Sequence, residues 1–157
     1  MLITEAVKKL SSTYSGEFDI SGIKKSFSVY ATDKNAEPCP PDSGAAQALW
    51  VRAEYEVEGE VYVVCAGVAT DGACTADAEL DEAIGSFEEE MAKLENEIRG
   101  AADPKAFLKD LISEETKDAE NRVKELEGEL NRSVALALGI SIAAFLALAA
   151  VIIISVI

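Results

Sequence analysis

Residues 134–157 contain no charged side chain, and this restricts the chain more than any other feature. As a helix rising about 1.5 Å per residue the run is about 36 Å long, against roughly 30 Å for the hydrocarbon core of a bilayer. In lipid every backbone N–H and C=O has to be satisfied within the segment, so the run must be helical there. A buried core helix is rarely this long and this apolar. The expectation is one C-terminal transmembrane helix, a single-pass anchor in a lipid bilayer.

All 29 acidic and 14 basic residues then fall on the remainder, which carries the whole net charge of −15. Residues 1–76 hold −5 of it and residues 77–133 hold −10. Such a field repels phosphates, which argues against nucleic acid as a partner. It suits a cationic protein partner, or serves solubility alone. Residues 1–10 lack a basic stretch followed by an apolar run, so no secretory signal is expected. The expected topology is tail-anchored, with the N-terminus in the cytoplasm. Arg122, Lys124 and Arg132 on the N-terminal flank of the run agree with that orientation.

Leu2, Ile3, Ala6, Val7 and Leu10 recur at helical spacing and predict a short amphipathic helix ending near Ser12. From Ile23 the pattern changes to alternation through Phe27, Val29 and Ala31, a strand, with Phe18 and Ile20 marking a shorter one before it. Residues 35–44 hold three prolines and a glycine and read as a loop. Its Pro38-x-x-Pro41 is the minimal form of a segment that docks on aromatic grooves. Leu49, Val51, Ala53, Tyr55 and Val57 then alternate with polar residues up to Glu58-Gly59, and a second alternating run follows to Ala69. This is a β-hairpin. A two-residue turn sets Tyr55 opposite Tyr62, Ala53 opposite Val64, Val51 opposite Ala66 and Leu49 opposite Val68, all on the core face. On the other face Trp50 lies across from Gly67, either covering the glycine or standing as an anchor for a partner.

Two heptad seams follow. The first runs through Leu80, Ile84, Phe87, Met91, Leu94 and Ile98, and the second through Ile112, Thr116, Ala119, Val123, Leu126, Leu130 and Ser133. Gly100 ends one helix, and Asp103-Pro104 supplies a cap and first-turn proline for the next. A reversal between them gives an antiparallel helical hairpin that satisfies both seams. A mere bend leaves each seam open to pair with a second copy as a coiled-coil homodimer. Within the apolar run Ala135, Gly139, Ala143 and Ala147 fall four apart, a small-residue face of the kind on which membrane helices pack closely.

Little in the chain points to catalysis or to a cofactor. The sequence has no histidine, no nucleophile elbow and no phosphate-binding glycine loop. Cys39, Cys65 and Cys74 are odd in number and lack metal-ligand spacing, which leaves free thiols as the expectation. Residues 71–82 have the end residues of a calcium loop, but Ala73, Thr75 and Ala76 occupy positions that need other chemistry. The fold class expected is α+β: a small antiparallel head with an N-terminal helix over residues 1–76, an acidic helical hairpin or coiled-coil stalk over 77–133, and the anchor over 134–157. No family is recognised. In organisation alone, heptads running into a terminal span, the chain is similar to tail-anchored tethers such as SNARE proteins. The function expected is a non-enzymatic binding, tethering or scaffold module, the alternatives being an accessory subunit of a larger membrane complex and a small membrane-anchored enzyme.

Overall fold

The computed structural model describes residues 1–71 and 74–156, with side chains for residues 1–71, 74–132 and 134. The chain is α+β. Its elements are α1 (Ile3–Thr13), β1 (Phe18–Ile20), β2 (Ile23–Thr32), β3 (Pro38–Cys39), β4 (Ala48–Val57), β5 (Glu60–Ala69), α2 (Asp77–Gly100) and α3 (Pro104–Val156). It forms two compact units, Met1–Ile112 and Ser113–Ile157.

In the first unit the strands make one antiparallel sheet in the order β1-β2-β4-β5, with β3 pairing on β2. Two of its turns contain two residues each with positive φ. Ser21 and Gly22 (56° and 79°) join β1 to β2, and Glu58 and Gly59 (52° and 87°) join β4 to β5. That geometry matches the natural strand twist and admits glycine without steric cost. The second turn imposes the register expected from alternation, with Tyr55 opposite Tyr62 and Leu49 opposite Val68. The proline-rich loop differs from expectation by one short pairing: Pro38 and Cys39 lie against Thr32 and Ala31. Proline is tolerated there because β3 is an isolated edge fragment.

One sheet face carries the core. Ile23, Ala31, Leu49, Val51, Ala53, Tyr55, Val57, Val64 and Val68 are buried in a single cluster with Ile3, Ala6 and Leu10 of α1. The same cluster takes Leu80, Phe87, Met91, Leu94 and Ile98 of α2, and Ile84 packs against it. The structure therefore departs from the expected division at residue 76. The first seam is occupied by the sheet, and α2 and the start of α3 belong to the same compact unit as the head. The physical reason is area: α1 is only 11 residues long, too short to cover four strands, and α2 supplies the rest of the apolar cover. Helix spacing specifies an apolar face but not what that face meets.

α2 ends at Gly100, and Asp103 Oδ1 accepts hydrogen bonds from the backbone N–H groups of Lys105 and Ala106, both at 3.1 Å, capping α3. Leu108 is fully buried in the core, and Phe107, Leu111 and Ile112 pack against it. In the second unit Ala119 is exposed, and Val123, Leu126 and Leu130 of the second seam are 54%, 65% and 64% exposed. Among the described residues no helix is long and apolar enough to cross a membrane. The expected anchor, residues 134–157, lies outside the described side chains apart from Val134, and so do Ala135, Gly139, Ala143 and Ala147.

Candidate functional site

The two faces of the sheet differ sharply. Helices cover one, and none of the described elements covers the other, which presents Lys24, Ser26, Ser28 and Tyr30 of β2, Trp50, Arg52, Glu54 and Glu56 of β4, and Val61, Val63 and Cys65 of β5. Val61 and Val63 are 41% and 37% exposed. The valines stand opposite Glu56 and Glu54 at one end of this face, and Tyr30 and Trp50 pair at its other end.

Trp50 organises it. The residue sits between Tyr30 and Gly67 in the ladder, and its ring lies over the glycine so closely that a Cβ there would fall 2.6 Å from Cε3 and Cζ3. Its Nε1–H donates to Thr32 Oγ1 at 3.0 Å, which fixes the ring's orientation. Trp50 thus covers Gly67 with one face, and with Tyr30, Ala36, Pro38, Arg52 and Cys65 it lines an open groove of about 430 Å³. Pro38, the first proline of the Pro-x-x-Pro segment, forms part of that wall.

Arg52 contributes the only cation lining the groove. Its Nε lies 2.9 Å from Glu54 Oε1, an ion pair in distance, but the buried Nε–H makes no hydrogen bond, so this contact is one of charge rather than of directed bonding.

On the helix side the sheet holds a second polar group, which sequence reasoning missed. Lys25 is 4% exposed. Its Nζ bonds Glu95 of α2 and lies 4.7, 4.6 and 5.5 Å from the ring centroids of Phe18, Phe27 and Tyr55. Glu95 also accepts from Tyr55 Oη at 3.0 Å and from Arg99 Nη2 at 3.4 Å. Burial, reinforced by the Glu95 charge, pushes the Tyr55 phenol well above its ordinary range. A buried cation caged by aromatic rings and paired with its own carboxylate is a clamp between sheet and helix. One signal in the sequence pointed to it: Lys25 has the inward parity of Ile23, Phe27 and Val29.

Cys39 is partly buried against the core, and Cys65 and Cys74 are exposed; all three are free thiols. Among the described residues no three histidine, cysteine or carboxylate side chains converge as a metal site. Asp77, in the calcium-like stretch, is the first residue of α2. No family model matches the chain, and neither the curated proteins nor the solved structures contain a significant match to it.

Proposed function

We propose that the chain is a non-enzymatic binding module, held at a membrane by residues 134–157, which presents the uncovered sheet face around Trp50 to a protein partner on the cytoplasmic side. The observation that carries the reading is the asymmetry of the sheet: one face buries a full core, while the other leaves Val61 and Val63 exposed and holds a groove lined by Trp50 and Tyr30. Aromatic residues with a fixed orientation and a mixed polar rim are what protein interfaces use as anchors. The uncharged run and its basic flank support the anchoring.

The exposed second seam favours a further reading within the same frame. Val123, Leu126 and Leu130 form an apolar stripe without cover among the described residues. It suits a second copy or a helix of a larger membrane complex.

The test uses membranes containing the full chain, with a photo-crosslinking residue in place of Ser28. The chain stays in the pellet after an alkaline carbonate wash, and one discrete crosslinked protein is lost when Trp50 and Tyr30 are replaced by alanine. Release by carbonate removes the anchor. Unchanged crosslinking in the double variant removes the face.

A further inference from the structure

β5 is the last strand of the sheet, with β4 on one side and no strand on the other among the described residues. The register identifies which of its backbone groups point outward. Val57 and Glu60 close a two-residue turn, and such a closing pair is hydrogen-bonded. Bonded and non-bonded pairs then alternate. The bond from Thr70 N to Gln47 O at 2.9 Å shows the same parity at the far end. Even-numbered residues of β5 therefore bond β4, and the N–H and C=O groups of Val61, Val63, Cys65 and Gly67 face away from the sheet.

Proteins normally blunt such an edge with lysine, proline, a bulge or a covering element. β5 uses none of the first three. Its sequence, Glu-Val-Tyr-Val-Val-Cys-Ala-Gly-Val-Ala, has one charge at the first position and no proline, and its register with β4 is unbroken over ten pairs.

A cavity of about 310 Å³ adjoins this edge on the helix side, with walls from β5, α2 and α3 and none from β4. It therefore lies on the outer flank of β5, where alternate side chains of an added strand would project. Val64, Leu94 and Leu111 give it apolar walls, and Glu90 and Glu97 give it carboxylates that outnumber Lys93. Apolar walls with carboxylates at the rim match an arginine or lysine, whose stem packs on carbon while the head meets the acids. The net charge of −15 acts in the same direction over longer range.

We infer that β5 accepts an added strand from a protein partner: an extended, basic segment whose main chain bonds Val61, Val63, Cys65 and Gly67 and whose inward arginine or lysine enters the cavity between β5, α2 and α3. The inference rests on the binding-module reading and names the chemistry of what is bound. Main-chain bonding supplies affinity in this mode, and the pocket for alternate side chains supplies selectivity.

The probe is a blocked peptide of alternating valine and arginine, compared with one carrying glutamate in place of arginine, added to the full chain in detergent micelles. The basic peptide binds and slows amide exchange at Val63, Cys65 and Gly67. Val63→Pro, which removes an outward N–H without touching the ladder to β4, weakens binding by at least about tenfold. Should that variant lose its fold, Val63→Lys serves the same comparison by placing a repelling charge at the edge, and Glu90→Gln with Glu97→Gln weakens the basic peptide alone. Equal binding of acidic and basic peptides overturns the inference, as does unaltered exchange at those amides. Protection of the same amides that rises with protein concentration and without peptide also overturns it, because the edge is then occupied by a second copy. Loss of peptide binding with the Ser28 crosslink retained overturns the edge alone, and loss of the crosslink with peptide binding retained overturns the Trp50 face alone, so the two failures are told apart.

Discussion

Lys25 of β2 and Glu95 of α2, 70 residues apart in sequence, form an ion pair in which the lysine side chain is 5% exposed and the glutamate 15%. Two opposite charges in such a site are costly to desolvate together and far costlier to leave singly. Lys25→Met should therefore destabilise the first unit by about 3 kcal/mol, and adding Glu95→Met should recover most of that loss. Urea denaturation of the full chain followed by tryptophan emission measures both, since Trp50 is the only tryptophan. A single Lys25→Met variant as stable as the parent would show that the pair is not a clamp.

Tyr55 extends the same cluster to alkaline pH. Burial and the Glu95 carboxylate raise its phenol above the ordinary value of 10.0, and Tyr14, half-buried and donating to Glu88 Oε1 at 2.5 Å, is raised as well, mainly by burial. A group that holds its proton in the folded state but releases it in the unfolded chain contributes stability below its unfolded value. That contribution falls as pH rises beyond it. Stability should decline steadily above pH 10.0, and Tyr14→Phe with Tyr55→Phe should flatten the decline. Denaturation midpoints across that range check the slope; an equally steep loss in the double variant assigns it to other groups.

These two side chains show what can be read from the residues and what cannot. The β4–β5 register was legible because alternation over ten residues leaves one arrangement with Tyr55, Ala53, Val51 and Leu49 on a common face, and a one-residue slip would expose them all. The helix cap at Asp103 was legible for a similarly local reason. Lys25 was not, because one charge at an inward position reads as a break in the pattern until the carboxylate that satisfies it is found on another element. The first seam shows the same limit: its period marks Phe87 and Ile98 as facing something apolar, and only packing shows that the partner is the sheet. At the candidate site, Trp50 stood out by its place opposite Gly67, whereas the outward backbone groups of β5 became visible only once strand order placed that hairpin at the edge.

The stacking of Trp50 on Gly67 leaves no room for a methyl group, since a Cβ would lie 2.6 Å from the ring. Gly67→Ala should push the indole out of the groove, break its bond to Thr32 and shift tryptophan emission to longer wavelength. The expected cost is about 1–3 kcal/mol, the usual range for overpacking. It should also weaken whatever the groove binds, without altering the clamp on the opposite face. An unshifted emission spectrum would mean that the ring has a second position of equal quality.

Glu58 and Lys109 link the β4–β5 turn to the first part of α3. The ammonium beside it holds the Glu58 carboxyl below its ordinary value of 4.5, and the carboxylate in turn holds Lys109 above 10.5. The lowered carboxyl contributes above its unfolded value, and that contribution is lost as pH falls through the folded one. The raised ammonium contributes below its unfolded value and loses that contribution as pH rises through its folded one. The pair therefore acts fully between about pH 4.5 and 10.5. Both groups are solvent-exposed, so the effect is small and screened by salt. Glu58→Gln should lower the denaturation midpoint slightly at pH 7 in dilute buffer, less in molar salt, and not at all well below the folded value of Glu58. A salt-independent loss would mean that the side chain acts through the turn conformation, where Glu58 itself has a positive φ of 52°, rather than through its charge. Glu58→Asn separates the two, because asparagine tolerates that backbone without supplying a carboxylate.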